Sequence, residues 1–209
     1  KYNPAQVRIF SRGEHAQVNM RRRFADDSRL RFVVGDVRDL ERLVYASQGV
    51  DYVFHLAALK HVPICEENPF EAVRTNVLGT QNVIEAALAN AVKKVSDVSS
   101  DKASSPLNLY GTTKSVGEKL IISANLMSET TSFVCVRAGN VLGTQGSVVP
   151  LFRNQILKAN VVTITDAEMT RFFINLDKVI ALLFDAAALS VGGEIFVVPM
   201  PAAKIKDLA

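Results

Sequence analysis

Six short apolar runs, VRIFS, LRFVVGDV, YVFHLAAL, KKVSDVSS, SFVCVRAGNV and EIFVV, are separated by segments with helical periodicity. The clearest helical segment, PFEAVRTNVLGTQNVIEAALAN, lines Val73, Val77, Val83, Ile84 and Ala87 along one apolar side. Pro69 suits its first turn, where a missing backbone donor would have been unpaired anyway. Strands that are apolar throughout are buried on both faces, and strands that alternate with helices pair in parallel. The expected fold is an α/β domain with a doubly wound, Rossmann-like parallel sheet. Such sheets bind ligands beyond the carboxyl ends of their strands. That rule singles out Ser11 and Arg12 after the first run, and Gly35, Asp36 and Val37 after the second. It also singles out Ala57 and Ala58 after the third, and Ser99, Ser100, Asp101 and Lys102 after the fourth.

Composition excludes several classes. At 209 residues, with 48% apolar and 22% charged side chains, the chain can bury a sizeable core in one domain or slightly more. A net charge of +3 is too small to point to nucleic acid. The one basic run, RRRF at residues 21–24, reads as a solvated helix end. Cys65 and Cys135 lie far apart in apolar surroundings and read as buried free thiols of a reducing compartment. No apolar run reaches the roughly 18 residues of a membrane span, and no signal pattern opens the chain. A soluble, cytoplasmic protein without a membrane segment is the expectation.

The stretch SSDKASSPLNLYGTTK concentrates reactive side chains among small ones. Tyr110 and Lys114 are four residues apart and share a helical face. An ammonium beside a phenol favours the phenolate, whose ordinary pKa is about 10, and so makes a general base near neutral pH. An isolated Tyr-x-x-x-Lys is better explained by a surface helix start with a chance Tyr and Lys.

Its surroundings carry a resemblance. The segments GDVRD, HLAALKHVPICEENPFEAVRTNVLGTQNV, SSDKASSPLNLYGTTK, VRAGNVLGTQGSVVP, ITDAEMTRFFI and GGEIFVVPMPAAKIKDLA resemble, in order, the extended short-chain dehydrogenase/reductases. More closely, they resemble the soluble inverting UDP-N-acetylglucosamine 4,6-dehydratases. Epimerases of that superfamily usually place the tyrosine much farther beyond the catalytic Ser/Thr, and the larger membrane-anchored relatives commonly replace it with methionine. The Asp101-Lys102 pair also matches the inverting type. The resemblance implies that hydride passes from the sugar's 4-position to a nicotinamide while Tyr110, assisted by Lys114, receives the hydroxyl proton. Lys102 is then the base at carbon 5 and Asp101 the acid at the departing 6-hydroxyl, and the hydride returns at carbon 6. Ser100 stands where the family usually has Thr. These roles need Lys102 shifted down and Asp101 shifted up toward neutrality, which their mutual attraction opposes; an ordinary ion pair in a turn is the alternative.

Cofactor and substrate contacts follow from the same resemblance. An Arg after the first strand accommodates the 2′-phosphate of NADP, where NAD enzymes usually carry an acid, so Ser11 and Arg12 favour NADP over NAD. Asp36 and Val37 resemble the adenine-contacting pair, and Ala57 and Ala58 the small residues that admit the cofactor. Lys60 and Asn76 match positions near the ribose and the active-site floor, with a structural hydrogen bond inside the helix as the alternative for Asn76. His55 and His61 read as packing or polar support, without a metal pattern. Asn140, Ser147, Val148, Thr165 and Arg171 fall on the nucleotide-sugar side, with a structural ion pair as the alternative for Arg171. Residues 1–139 are expected to form the NADP-binding core and residues 140–209 a partial substrate-binding region. The implied partners are a UDP-sugar and further copies of the chain.

Three departures from the pattern stand out. No glycine-rich turn precedes VRIFS, so the central strand and pyrophosphate loop of the family are missing, and the chain ends as a helix would begin. Ser96 and Asp97 fall in what should be an apolar strand, where an unpaired carboxylate is costly. Ala138 replaces a usual aromatic. A fragment of a longer chain or a decayed relative is the reading, unable by itself to bind NADP productively unless the first and third runs close on each other. An epimerase or reductase that stops after the redox step, and a non-catalytic dinucleotide-binding remnant, are the competing functions.

Overall fold

The computed structural model describes residues 2–144 and 147–209. Strand β1 (Val7–Ser11) leads through α1 (Glu14–Arg23) to β2 (Leu30–Val34), which pairs with it in parallel from Val7↔Leu30 to Ser11↔Val34. Helix α2 (Leu40–Ser47) starts where Asp39 accepts a hydrogen bond from the Arg42 N–H, and precedes β3 (Tyr52–His55). Next come α3 (Val62–Glu67), α4 (Pro69–Val73), a π-helical turn at Arg74–Leu78 and α5 (Gly79–Ala89). Strand β4 (Lys94–Ser100), a 3₁₀ turn (Asp101–Ala103), α6 (Leu109–Ala124) and β5 (Ser132–Ala138) follow. The remainder comprises β6 (Asn140–Val141), α7 (Val148–Ala159), β7 (Thr170–Ile174), α8 (Leu176–Leu189), β8 (Ile195–Val197) and β9 (Ala202–Lys204).

Strands β3, β4, β5 and β8 form a parallel sheet in that order. Its centre shows why parallel strands read as continuous apolar runs. Phe133 and Cys135 of β5 join one core with Val83, Ile84, Val95 and Ile121, under α5 and α6. Val134 and Val136 join another with Val179, Leu182, Leu183 and Ala186 of α8. Each large side chain so buried contributes about 1.5–3 kcal/mol, and two covered faces make this the rigid middle of the domain. The expected α/β architecture is present. Cys65 and Cys135 are both buried and unbridged.

Strands β1 and β2 form a separate pair, and β1 is not hydrogen-bonded to β3, so the first and third runs do not close on each other. Three details differ from the sequence reading. The run SFVCVRAGNV divides at Gly139, where a Cβ would lie 2.9 Å from the Phe172 carbonyl oxygen; β6 then leaves the main sheet to pair with β7. Strands β7 and β9, antiparallel to each other, were not expected as strands. Finally, the long helical pattern is interrupted: the Gly79 N–H bonds the Arg74 carbonyl five residues back. This changes which residues face inward. Thr75, Asn76 and Thr80 are buried, whereas Val73 and Val77 are only half-buried.

Candidate active site

The reactive side chains converge where β4 ends and α6 begins. The Ser100 hydroxyl donates to Asp101 Oδ1 at 3.0 Å and accepts from the Lys102 N–H at 3.3 Å, which starts the 3₁₀ turn. Lys102 Nζ donates to Asp101 Oδ1 at 2.9 Å and to Asn140 Oδ1 at 3.3 Å. The Asp101–Lys102 ion pair is therefore formed, and it is only partly exposed. Helix α6 is capped twice: Asn108 accepts from the Gly111 N–H at 2.9 Å, and Glu66 of α3 accepts from the Leu109 N–H at 2.7 Å. Tyr110 is half-buried and Lys114, one turn on, is 2% exposed.

The Lys114 ammonium has a partner that the sequence did not assign to it. Lys114 Nζ lies 3.2 and 3.3 Å from the two carboxylate oxygens of Asp97, which is fully buried. This resolves the cost of a carboxylate inside a strand. His55, adjacent in register on β3, places Nε2 3.9 Å from Asp97 Oδ1 and 3.1 Å from Thr80 Oγ1. Thr80 donates its single proton to the Asn76 carbonyl at 2.8 Å, so the His55 Nε2–H must be the donor to Thr80. Burial lowers the His55 pKa to about 4, with the Asp97 carboxylate working against that shift and Lys114 with it.

The Tyr110 phenol corrects one expectation. Burial is the largest influence and raises its pKa above the ordinary value; Asp101 and Asp97 add to the rise. A hydrogen bond with Ser100 and the Lys114 charge work downward without outweighing burial. Without a ligand, Lys114 does not make this phenol more acidic than a free tyrosine.

The remaining residues divide into two groups. Near the ends of β1 and β2, Arg12 lies 3.7 Å from Asp36, whose carboxylate is gripped by Arg38 at 2.6 and 3.0 Å. That grip, chiefly the Arg38 hydrogen bond, keeps Asp36 below the usual carboxylate range. Arg38 also reaches Glu71 at 2.6 Å. Ser11 Oγ accepts from Gln17 at 2.9 Å, while Val37 is a core residue against Gly79. Ala57 and Lys60 are exposed and Ala58 half-buried, all in irregular backbone after β3. Asn76 makes a tertiary clamp rather than a bond within its helix: it accepts from the Leu59 N–H at 2.8 Å and donates to the Leu59 carbonyl at 2.9 Å. It also donates to Thr113 Oγ1 at 3.0 Å.

In the second group only Asn140 touches the reactive cluster, through Lys102. Ser147 occupies the N-cap position of α7, directly before Val148, yet its side chain accepts no capping bond. Thr165 is exposed. Arg171 Nη1 donates to the Thr170 carbonyl at 2.7 Å, and among the described residues no ion pair holds it. Arg137, gripping the buried Glu118 of α6 at 2.6 and 2.8 Å, braces β5 against α6 and was missed by sequence reasoning.

The family described as polysaccharide biosynthesis protein matches residues 1–209, the whole chain. The chain belongs to that family. It is 46% identical over 211 residues to the UDP-N-acetylglucosamine 4,6-dehydratase (inverting) of Campylobacter jejuni, covering all of this chain and 63% of that protein. It is 47% identical over 206 residues to the UDP-glucose 4-epimerase of Rickettsia conorii, covering 98% of this chain and 60% of that protein. An uncharacterized membrane protein of Methanocaldococcus jannaschii is also 47% identical, again over all of this chain and 63% of the relative. The chain thus spans less than two thirds of these curated relatives. Among the described residues no helix is long and apolar enough to cross a membrane.

Solved structures agree on the fold. The X-ray structure of Pen from Bacillus thuringiensis superposes with a TM-score of 0.96 at 47% identity, covering 98% of this chain and 64% of that one. A double mutant of DesIV, the dTDP-glucose 4,6-dehydratase of Streptomyces venezuelae with NAD bound, superposes with a TM-score of 0.87 at 25% identity. That match covers 99% of this chain and 70% of DesIV.

This family member has donors suited to a dinucleotide at two separate places. At one, the Arg12 side chain is 57% exposed, and among the described residues only a 3.7 Å contact to Asp36 competes for its guanidinium. At the other, Tyr110 and Ser100 stand at the end of the central strand β4.

Proposed function

We propose that the chain forms the core of an NADP-dependent, C5-inverting 4,6-dehydratase acting on UDP-N-acetylglucosamine, in the synthesis of surface polysaccharide. Residues 1–139 would hold the dinucleotide and residues 140–209 contribute to the sugar-nucleotide side. The observation that carries this reading is the Asp101–Lys102 pair beside Ser100 and Asn140. An enzyme that only oxidises and reduces carbon 4 needs a hydroxyl-handling pair such as Ser100 and Tyr110. Loss of water needs a further base and acid, aimed at neighbouring carbons.

A bound nicotinamide supplies the hydride acceptor and donor. Ser100 holds the sugar's 4-hydroxyl and Tyr110 takes its proton. Lys102 then removes the proton at carbon 5, acidified by the 4-keto group, while Asp101 protonates the departing 6-hydroxyl. The resting ion pair is in the opposite proton state from the one this requires. Passing one proton from Lys102 Nζ to Asp101 Oδ1 across their 2.9 Å contact produces both the neutral amine and the protonated acid.

A second reading, nucleotide-sugar 4-epimerase, is supported by the Rickettsia relatives, which are as similar as the dehydratases. Product mass separates the two. With UDP-N-acetylglucosamine and NADP, the dehydratase yields a keto sugar lighter by one water, and Lys102→Ala abolishes that product while cofactor reduction persists. A product of unchanged mass would establish the epimerase, and normal dehydration by Lys102→Ala would reject the base assignment.

A further inference from the structure

The buried carboxylate of Asp97 has no part in the chemistry above, yet it is the group that holds Lys114. Both side chains are withdrawn from solvent, and two of the ammonium's three protons are directed at the two Asp97 oxygens. We propose that Asp97 is a positioning residue: it anchors Lys114 and offsets its charge, so that the Asp97–Lys114 pair, and not Lys114 alone, sets how readily the Tyr110 hydroxyl gives up its proton.

The surroundings leave few other charges to do this. On β3, His55 is neutral near physiological pH and its Nε2–H points to Thr80. On β5, the register partner of Asp97 is Cys135, whose thiol is held protonated by burial and by the carboxylates near it. On α6, Glu118 is neutralised by Arg137. Across the β4–α6 turn, Asp101 is paired with Lys102. The Lys114 cation, one turn along α6 from Tyr110, is therefore in direct contact with an anion. Coulomb interactions are only weakly screened in such an interior, so the opposite charges largely cancel at the phenol. Burial is the largest cause of the upward shift of Tyr110, and Asp97 acts in the same direction with a smaller part.

This inference rests on Tyr110 being the acid–base residue of the proposed reaction, but its test needs no turnover. The chain has four tyrosines and no tryptophan, so tyrosinate absorbance is not masked by indole. Subtracting the ultraviolet pH titration of Tyr110→Phe from that of the parent chain isolates the Tyr110 transition. Repeated in each background, the same subtraction should show Asp97→Asn lowering the midpoint by about one pH unit, the order expected of one nearby charge. The double variant Asp97→Asn with Lys114→Gln should return it to the parent value. An unchanged or raised midpoint in Asp97→Asn would overturn the proposal. Should that variant fail to fold, the double variant decides alone: a midpoint raised by about one unit or more would mean that Asp97 offsets nothing. The titration can fail while dehydration is observed, and it can succeed with a different sugar chemistry, so the two readings stand or fall separately.

Discussion

Gly111 meets Lys102 backbone to backbone: a Cβ on Gly111 would stand 2.5 Å from the Lys102 carbonyl oxygen and 3.3 Å from the Pro106 Cα. The first turn of α6 and the turn carrying Asp101 and Lys102 are in contact through an absent side chain. Neither neighbour is a flexible side-chain tip, so a methyl group there must move the main chain.

Gly111→Ala should therefore displace the turn of Asp101 and Lys102 relative to Tyr110. We expect a loss of about 1–3 kcal/mol of stability from overpacking, with a larger fall in dehydration than in cofactor reduction. Urea denaturation and single-turnover absorbance measure the two effects. Parental kinetics would show that the turn accommodates the methyl without moving the pair.

Arg12 tests the cofactor assignment. Arg12→Ala should weaken NADP far more than NAD, by about 1.5–3 kcal/mol for the lost hydrogen bond to a charged group. Calorimetric titration of both dinucleotides reads the difference. Equal losses would assign Arg12 to holding Asp36 instead.

Asn76 is expected to matter for stability before chemistry. Asn76→Ala removes three hydrogen bonds, strands the N–H of Leu59 and leaves its carbonyl only the weak Cys65 thiol donor, at about 2–4 kcal/mol in total. A shift of the urea midpoint at unchanged slope is the expected signature. A full-strength fold would mean that water replaces the clamp.

His55 makes the fold acid-sensitive. Its folded pKa, about 4, lies below the ordinary value of 6.5, so between those values the unfolded chain binds a proton that the folded one refuses. The stabilisation is complete above the unfolded value and is lost as pH falls toward the folded one. It amounts to about 3 kcal/mol, at 1.36 kcal/mol per unit. His55→Gln should flatten this part of the stability–pH curve. An undiminished acid slope in the variant would place the sensitive group elsewhere.

Much of this was legible in the chain's own pattern, for physical reasons. Apolar runs such as SFVCVRAGNV announce strands covered on both faces, and β5 is one. Polar residues at strand ends announce a site, because an unpaired polar side chain is costly inside a buried strand. What could not be read were relationships between elements. Asp97 looked like an anomaly in its strand, since its partner sits 17 residues away on a helix whose rotation the sequence leaves open. Asn140 was assigned to the sugar nucleotide by resemblance, and the contact of its side-chain Oδ1 with Lys102 could not be read from the chain. The Tyr110 shift depended on burial, to which a four-residue spacing is blind. Strands β7 and β9 are short and half-exposed, and gave no period to detect.

The π turn at Arg74–Leu78 acts as a phase shifter. One additional residue in the turn rotates everything beyond it by about 100° relative to an uninterrupted helix. Because of that rotation, Asn76 and Thr80 look inward in the same stretch: one clamps Leu59 and Thr113, the other fixes the His55 tautomer. Deleting one residue there would yield a more regular helix, richer in ideal hydrogen bonds, and a worse protein. Apolar Val73 and Val77 would compete for the inward face, and the polar floor beneath the reactive cluster would turn away from it. Local regularity and tertiary order are opposed in this helix, and the irregular form is the one that the surrounding contacts select.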